Sequence, residues 1–223
     1  VHSERDMRPS NKIPEIGFDM RLIVRDRGLV IADRNVEPHS WVRNWYVVYL
    51  QQAVAQACRN AYGLSVKRMS DGASYSHDTS ARVGHSILVN NIQAGGGETR
   101  FGLIVGSSDT PYAFTDYILG AQIEHGDTAG KLSYAATPDP VKSDDDAERR
   151  ITWTRQFSNN TTGNITVREI GWAGNGWSGS TYTGMYFLYL REVLSVGDQV
   201  VLEPGQQLEV QFSVKLTYPE TIS

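Results

Sequence analysis

Val200-Val-Leu-Glu-Pro-Gly-Gln-Gln-Leu-Glu-Val-Gln-Phe-Ser-Val-Lys-Leu-Thr-Tyr218 decides the fold class. Leu208, Val210, Phe212, Val214 and Leu216 fall on one face, and Glu209, Gln211, Ser213, Lys215 and Thr217 on the other. That period of two is the signature of a half-buried antiparallel strand. Glu203-Pro-Gly205 before it supplies a turn.

Strand-like runs continue upstream. Tyr186 to Leu194, Ile165 to Gly171 and Arg150 to Phe157 read as strands, the last two separated by an Asn-Asn-Thr-Thr-Gly turn. Phe101-Gly-Leu-Ile-Val-Gly106 reads as a short buried strand, and Lys131 to Ala135 as an extended piece. Residues 100–218 then hold about six or seven strands joined by short connections, a sandwich pattern. The expected fold is mainly β: an antiparallel β-sandwich, jelly-roll-like, with one α-helix in the N-terminal half and an extended N-terminal arm.

Three regions follow from this reading. Residues 1–17, polar and carrying Pro9 and Pro14, are expected to be a flexible arm. Residues 18–99 are expected to pack on the sandwich as a hairpin, a helix and an irregular segment. The hairpin joins Phe18 to Val24 and Leu29 to Asp33 through Arg25-Asp-Arg-Gly28, and the helix runs from an N-cap at Ser40 to a terminating Gly63. Trp41, Trp45, Val48 and Tyr49 form one stripe of that helix, read as a packing face. Short strands are expected at 65–69 and 85–92, and a turn at Gly95-Gly-Gly97. Residues 100–223 are the expected sandwich core.

Of 223 residues, 40% are hydrophobic and 21 are glycine, as in a folded, turn-rich chain. A net charge of −4 gives no electrostatic footprint for nucleic acid, so no direct nucleic-acid partner is expected. No run approaches the ~20 apolar residues of a membrane span, and the N-terminus has no apolar signal core, so neither a span nor a secretion address is expected. Cys58 stands alone, which leaves no intramolecular disulfide and no thiolate metal cluster within one chain. The sequons at Asn159, Asn160 and Asn164 are read as turn chemistry.

Candidate chemistry is sparse. The five histidines form no His-Glu-x-x-His run, and His77, Asp78 and His85 are read as loop residues rather than ligands. Asp144, Asp145 and Asp146 lack the glycine and ligand spacing of a calcium loop, and residues 137–148 are read as an exposed acidic loop. Glu169 and Glu192 sit beside Arg168 and Arg191, which reads as cross-strand ion pairing rather than a glycosidase carboxylate pair. No Gly-x-Ser-x-Gly is present, and Gly174-Asn-Gly176 is too short to cradle phosphate. The expectation is a non-enzyme with no cofactor and no metal.

One stretch does look like a contact surface. Gly171 to Met185 is read as a glycine-rich loop presenting Trp172, Trp177 and Tyr182, with Met185 at its end. Flat aromatic faces stack on sugar rings, but Trp, Tyr and Met are also enriched at subunit interfaces. Ile13 and Ile16 are further candidate contacts on the arm.

The ordered motifs Phe-Gly-Leu-Ile-Val-Gly, Ser-Asp-Thr-Pro, the run from Phe157 to Gly171, Leu188 to Leu194 and Leu-Glu-Pro-Gly-Gln-Gln-Leu-Glu-Val resemble a β-sandwich family among the virion structural proteins of tailed bacteriophages. His39-Ser-Trp-Val-Arg-Asn-Trp45 resembles the start of the helix in such proteins. The resemblance implies a virion component, as a capsid-associated, decoration, connector or tail part, assembled in the host cytoplasm from copies of itself and other virion proteins. It does not choose among those positions. Two alternatives stand beside it: a carbohydrate-binding or adhesion module that takes a host-surface glycan through the Trp172 to Tyr182 stretch, and a subunit of an extracellular filament.

Overall fold

The computed structural model describes residues 15–47, 65–76, 93–178 and 181–218. They form a mainly antiparallel β-sandwich, as the alternation in the C-terminal half predicts. The first sheet is built on β13 (Gln206–Thr217), flanked by β1 (Glu15–Asp26) and β8 (Glu148–Ser158). On the far side of β1 lies β2 (Leu29–Val36), and on the far side of β8 lie β6 (Ser133–Tyr134) and β7 (Val141–Asp144), which completes six strands. The second sheet runs β11 (Thr181–Val193), β10 (Glu169–Ser178), β5 (Gly102–Gly106). Two small pairs complete the described strands: β9 (Ile165–Val167) with β12 (Val200–Leu202), and β3 (Ser65–Lys67) with β4 (Ser74–Ser76).

The apolar stripe of β13 does what its spacing predicts. Leu208, Val210 and Phe212 are fully buried, and they meet Met20, Leu22 and Val24 of β1, Phe157 of β8, and the inner faces of β5, β10 and β11 in one core. Phe212 and Trp172 touch across the two sheets, ring centroids 5.2 Å apart. Around them Phe18, Trp41, Trp45 and Tyr189 complete an aromatic cluster in tilted and edge-on geometry. Trp41 and Trp45 are therefore packing residues, as read from the sequence. The described helix covers only residues 43–47, and the rest of the expected helix, with Val48 and Tyr49, lies outside the described residues. So does the expected strand at 85–92.

Several boundaries differ from the sequence reading. Strand β1 begins at Glu15, opposite Thr217, so residues 15–17 are sheet and not arm. The β1–β2 hairpin does not sit on the sandwich; β1 pairs with β13 over twelve positions, Glu15 to Asp26, and is integral to the first sheet. Residues 141–144 pair with β8 instead of forming a loop, and Asp145 turns the hairpin by accepting from the amides of Ala147 and Glu148 at 2.8 Å each. The expected single strand at 165–171 is split at Arg168, whose amide bonds Gly106 and whose guanidinium bonds the Ser107 carbonyl; β9 before it and β10 after it pair with different strands. Asn159, fully buried, donates to the Gly163 and Leu202 carbonyls at 2.8 Å, which is the turn role read for that sequon.

Two buried phenols give the fold an alkaline limit. Burial raises Tyr134 and Tyr189 above the ordinary tyrosine range, while burial pushes Arg155 down to about 10. A raised tyrosine contributes stability that is complete below the unfolded pKa near 10 and is lost above it; a depressed arginine has the opposite slope. The two tyrosines outnumber the arginine, so together these groups lose stability as pH rises above ~10. Expected on alkaline titration is a tyrosinate absorbance step that coincides with loss of the β-sheet dichroism. Full ionisation of all tyrosines near pH ~10 with the dichroism intact would refute it.

Candidate functional site

Trp172 does not sit in an exposed loop. Residues 169–178 and 181–193 are paired strands, and Trp172 is 4% exposed in the aromatic cluster between the sheets. Its indole nitrogen is buried without a hydrogen-bond partner, so the ring acts through packing alone. A residue there cannot stack on a sugar or anchor a neighbour. Trp177, Tyr182 and Met185 fall on the outer halves of β10 and β11, and their side chains lie outside the described residues, as does Ile13. Ile16, on β1 opposite Leu216, is 46% exposed.

The buried charges serve the fold. Glu169 receives the amides of Gly120 and Ala121 at 3.0 and 2.8 Å and the Nε of Arg191 at 2.7 Å; Arg191 also bonds Asp116 and the Thr110 carbonyl. This is the cross-strand ion pair read from the sequence, extended into a clamp on the 107–121 connection. Glu192 is spent differently, accepting from the backbone amides of His39 and Ser40. No carboxylate pair is left facing a cleft by these residues. Among the described residues no group of three or more His, Cys, Asp or Glu is placed to hold a metal, and no helix is long and apolar enough to cross a membrane.

A polar cleft of about 760 Å³ lies on the outer face of the first sheet, floored by Asp19, Arg21, Arg150, Gln211, Ser213 and Lys215. The charges on its floor, Asp19, Arg21, Arg150 and Lys215, are each paired. Asp19 accepts from Arg150 at 2.7 Å and Lys215 at 3.0 Å; burial works against its charge, but these two cations outweigh it and hold the carboxyl below its ordinary range. Arg21 is paired with Asp33 of β2. No aromatic ring lines the cleft, so it lacks the stacking platform that sugar sites use.

The feature that stands out is an edge. At three sheet margins, irregular segments hydrogen-bond the outermost backbone. Beside β11, Val42 and Met69 donate to the Tyr189 and Tyr186 carbonyls, and Arg191 donates to Ser40. Beside β5, Ile123 donates to Val105, and Ser107 to Ala121. Beside β6, Gly97 donates to Tyr134 at 2.9 Å. The remaining margin on that side, β7, is short and carries Lys142 and Asp144, the kind of edge that resists further pairing.

Among the described residues, strand β2 lacks such a backbone cover at Leu29 to Ile31, and its charges, Asp33 and Arg34, lie beyond that stretch. It pairs with β1 on one side, and among the described residues its other side meets only the Arg34 guanidinium's bonds to the Gly197 and Gln199 carbonyls. Leu29, Val30 and Ile31 are 73, 51 and 54% exposed in succession. The cause is local: Arg27 and Gly28, at φ 48° and 86°, make the two-residue turn whose twist suits a hairpin, and a bulge between Val24 and Arg25 leaves Ile31 without a register partner. Apolar residues that alternate between faces elsewhere are here all in water.

No protein-family model, curated protein or solved structure matches the chain. The open edge therefore carries the structural part of the functional reading.

Proposed function

We propose that the chain is a non-enzymatic structural subunit that assembles in many copies, and that its setting is a tailed-phage virion, where it stabilises or decorates the particle. The unsealed apolar edge at Leu29 to Ile31 carries the assembly half of this reading. A row of free strand donors and acceptors with exposed aliphatic side chains is a template for another chain, and natural monomers blunt such edges with charge, proline or cover. The virion half rests on the ordered motifs quoted above. Burial of Trp172 removes one of the three rings on which a glycan-binding reading would rest.

Replacing Val30 and Ile31 by lysine places charge on the edge without touching the core. Expected is at least about tenfold weaker self-association by sedimentation velocity, with an unchanged melting transition. Wild-type chain that stays monomeric at every concentration would overturn assembly through this edge. For the virion setting, the chain should co-purify with particles induced from the strain that carries its gene. Its recovery only from the particle-free lysate would remove that setting.

A further inference from the structure

We infer that the occupant of the open edge is a second copy of the same strand, with the two β2 strands antiparallel about a two-fold axis at Val30. The inference rests on the assembly reading above and adds partner and register.

Backbone polarity places the axis. In a two-residue hairpin the residues flanking the turn, Asp26 and Leu29, are the closing hydrogen-bonded pair. The next residue, Val30, opposite Arg25, then turns its N–H and C=O away from β1 and toward the empty side. An antiparallel partner needs such a residue opposite such a residue. A two-fold through Val30 provides it, with each Val30 N–H donating to the Val30 carbonyl of the other copy.

The side chains agree with this register. Leu29 falls opposite Ile31 of the second copy, and the reverse, so the three exposed aliphatics cover one another. Moving the axis one residue to Ile31 would set Leu29 against Asp33 and lose the apolar match.

The test is disulfide capture at the axis. Val30→Cys in a Cys58→Ser background places two thiols opposite each other only if the two-fold passes there; Val141→Cys, on the distant β7 edge, is the control. Expected on mild oxidation is a covalent dimer with Val30→Cys, not with Val141→Cys, in a yield that falls on dilution. If Val30→Cys fails to cross-link while the wild type still self-associates, the register is wrong and assembly stands. Should the wild type also be monomeric, both fall.

Discussion

Arg155→Met is expected to cost about 3–5 kcal/mol of folding stability, read by chemical denaturation, with the sandwich retained at low denaturant. Arg155 lies on the core face of β8, opposite Val210, and is fully buried. No carboxylate is bonded to it. Its guanidinium instead donates to five carbonyls: Ala135 at 3.0 Å, Leu103 and Glu98 at 2.7 Å, Gly95 at 3.1 Å and Phe101 at 3.4 Å. The Tyr134 ring lies 5.0 Å from its centre. Methionine fills much of the volume but donates nothing, and a backbone carbonyl cannot be mutated away in compensation. Each carbonyl left dry and unbonded costs about 1–3 kcal/mol, and water entering the gap recovers part of that. Arg155→Lys, with three donors on a point ammonium instead of a planar fork, should fall between the two. A loss below ~1 kcal/mol for Arg155→Met would show that the 95–103 segment holds its place without the arginine.

Glu169→Ala should cost a similar amount, about 3–5 kcal/mol, because it strands a buried cation rather than removing a neutral contact. Arg191, 3% exposed, keeps Asp116 but loses its buried partner, and the Gly120 and Ala121 amides lose their acceptor. The local signature is distinct from that of Arg155→Met: amide exchange should accelerate across 107–121 before global unfolding. Glu169→Gln keeps one carbonyl acceptor and should retain part of that protection. Gly106→Ala is a second route to the same cluster, since a β-carbon there would overlap the Glu169 carboxylate and stand 2.7 Å from the Ala121 carbonyl. Unchanged exchange in 107–121 for Glu169→Ala would mean that the connection is held by its backbone bonds to β5 alone.

Period-two alternation makes most of the first sheet legible. Leu208 to Leu216 announced β13, and the turn at Gly28 announced the β1–β2 hairpin. Alternation even places Arg155, since Ile151, Trp153, Arg155 and Phe157 share a parity. A charge there contradicts the composition rule for cores, and only the five surrounding carbonyls explain it. The ion pairing at Glu169 and Arg191 was readable because both residues sit in strand-like runs, and the bond forms diagonally between β10 and β11, where Glu169 stands opposite Val193 and Arg191 opposite Gly171. Its third member, Asp116, was not, because it comes from an irregular connection whose path no periodicity sets.

Glycine and aromatic density suggested a loop at 171–185, yet residues 171–178 and 181–185 belong to strands, because β11 pairs along β10 and β5 adds a second partner from Glu169 to Ala173. Trp172 was drawn inward by the same pairing. What the sequence by itself determined is the class of fold and the inward face of its longest strands, since side-chain period is a local property of the chain. Which edges are sealed and which is open was decided only in three dimensions. A strand's free donors become an interaction surface only when no distant segment returns to bond them; at β2, among the described residues, the 195–199 turn reaches the Arg34 side chain and no backbone segment bonds the outer margin.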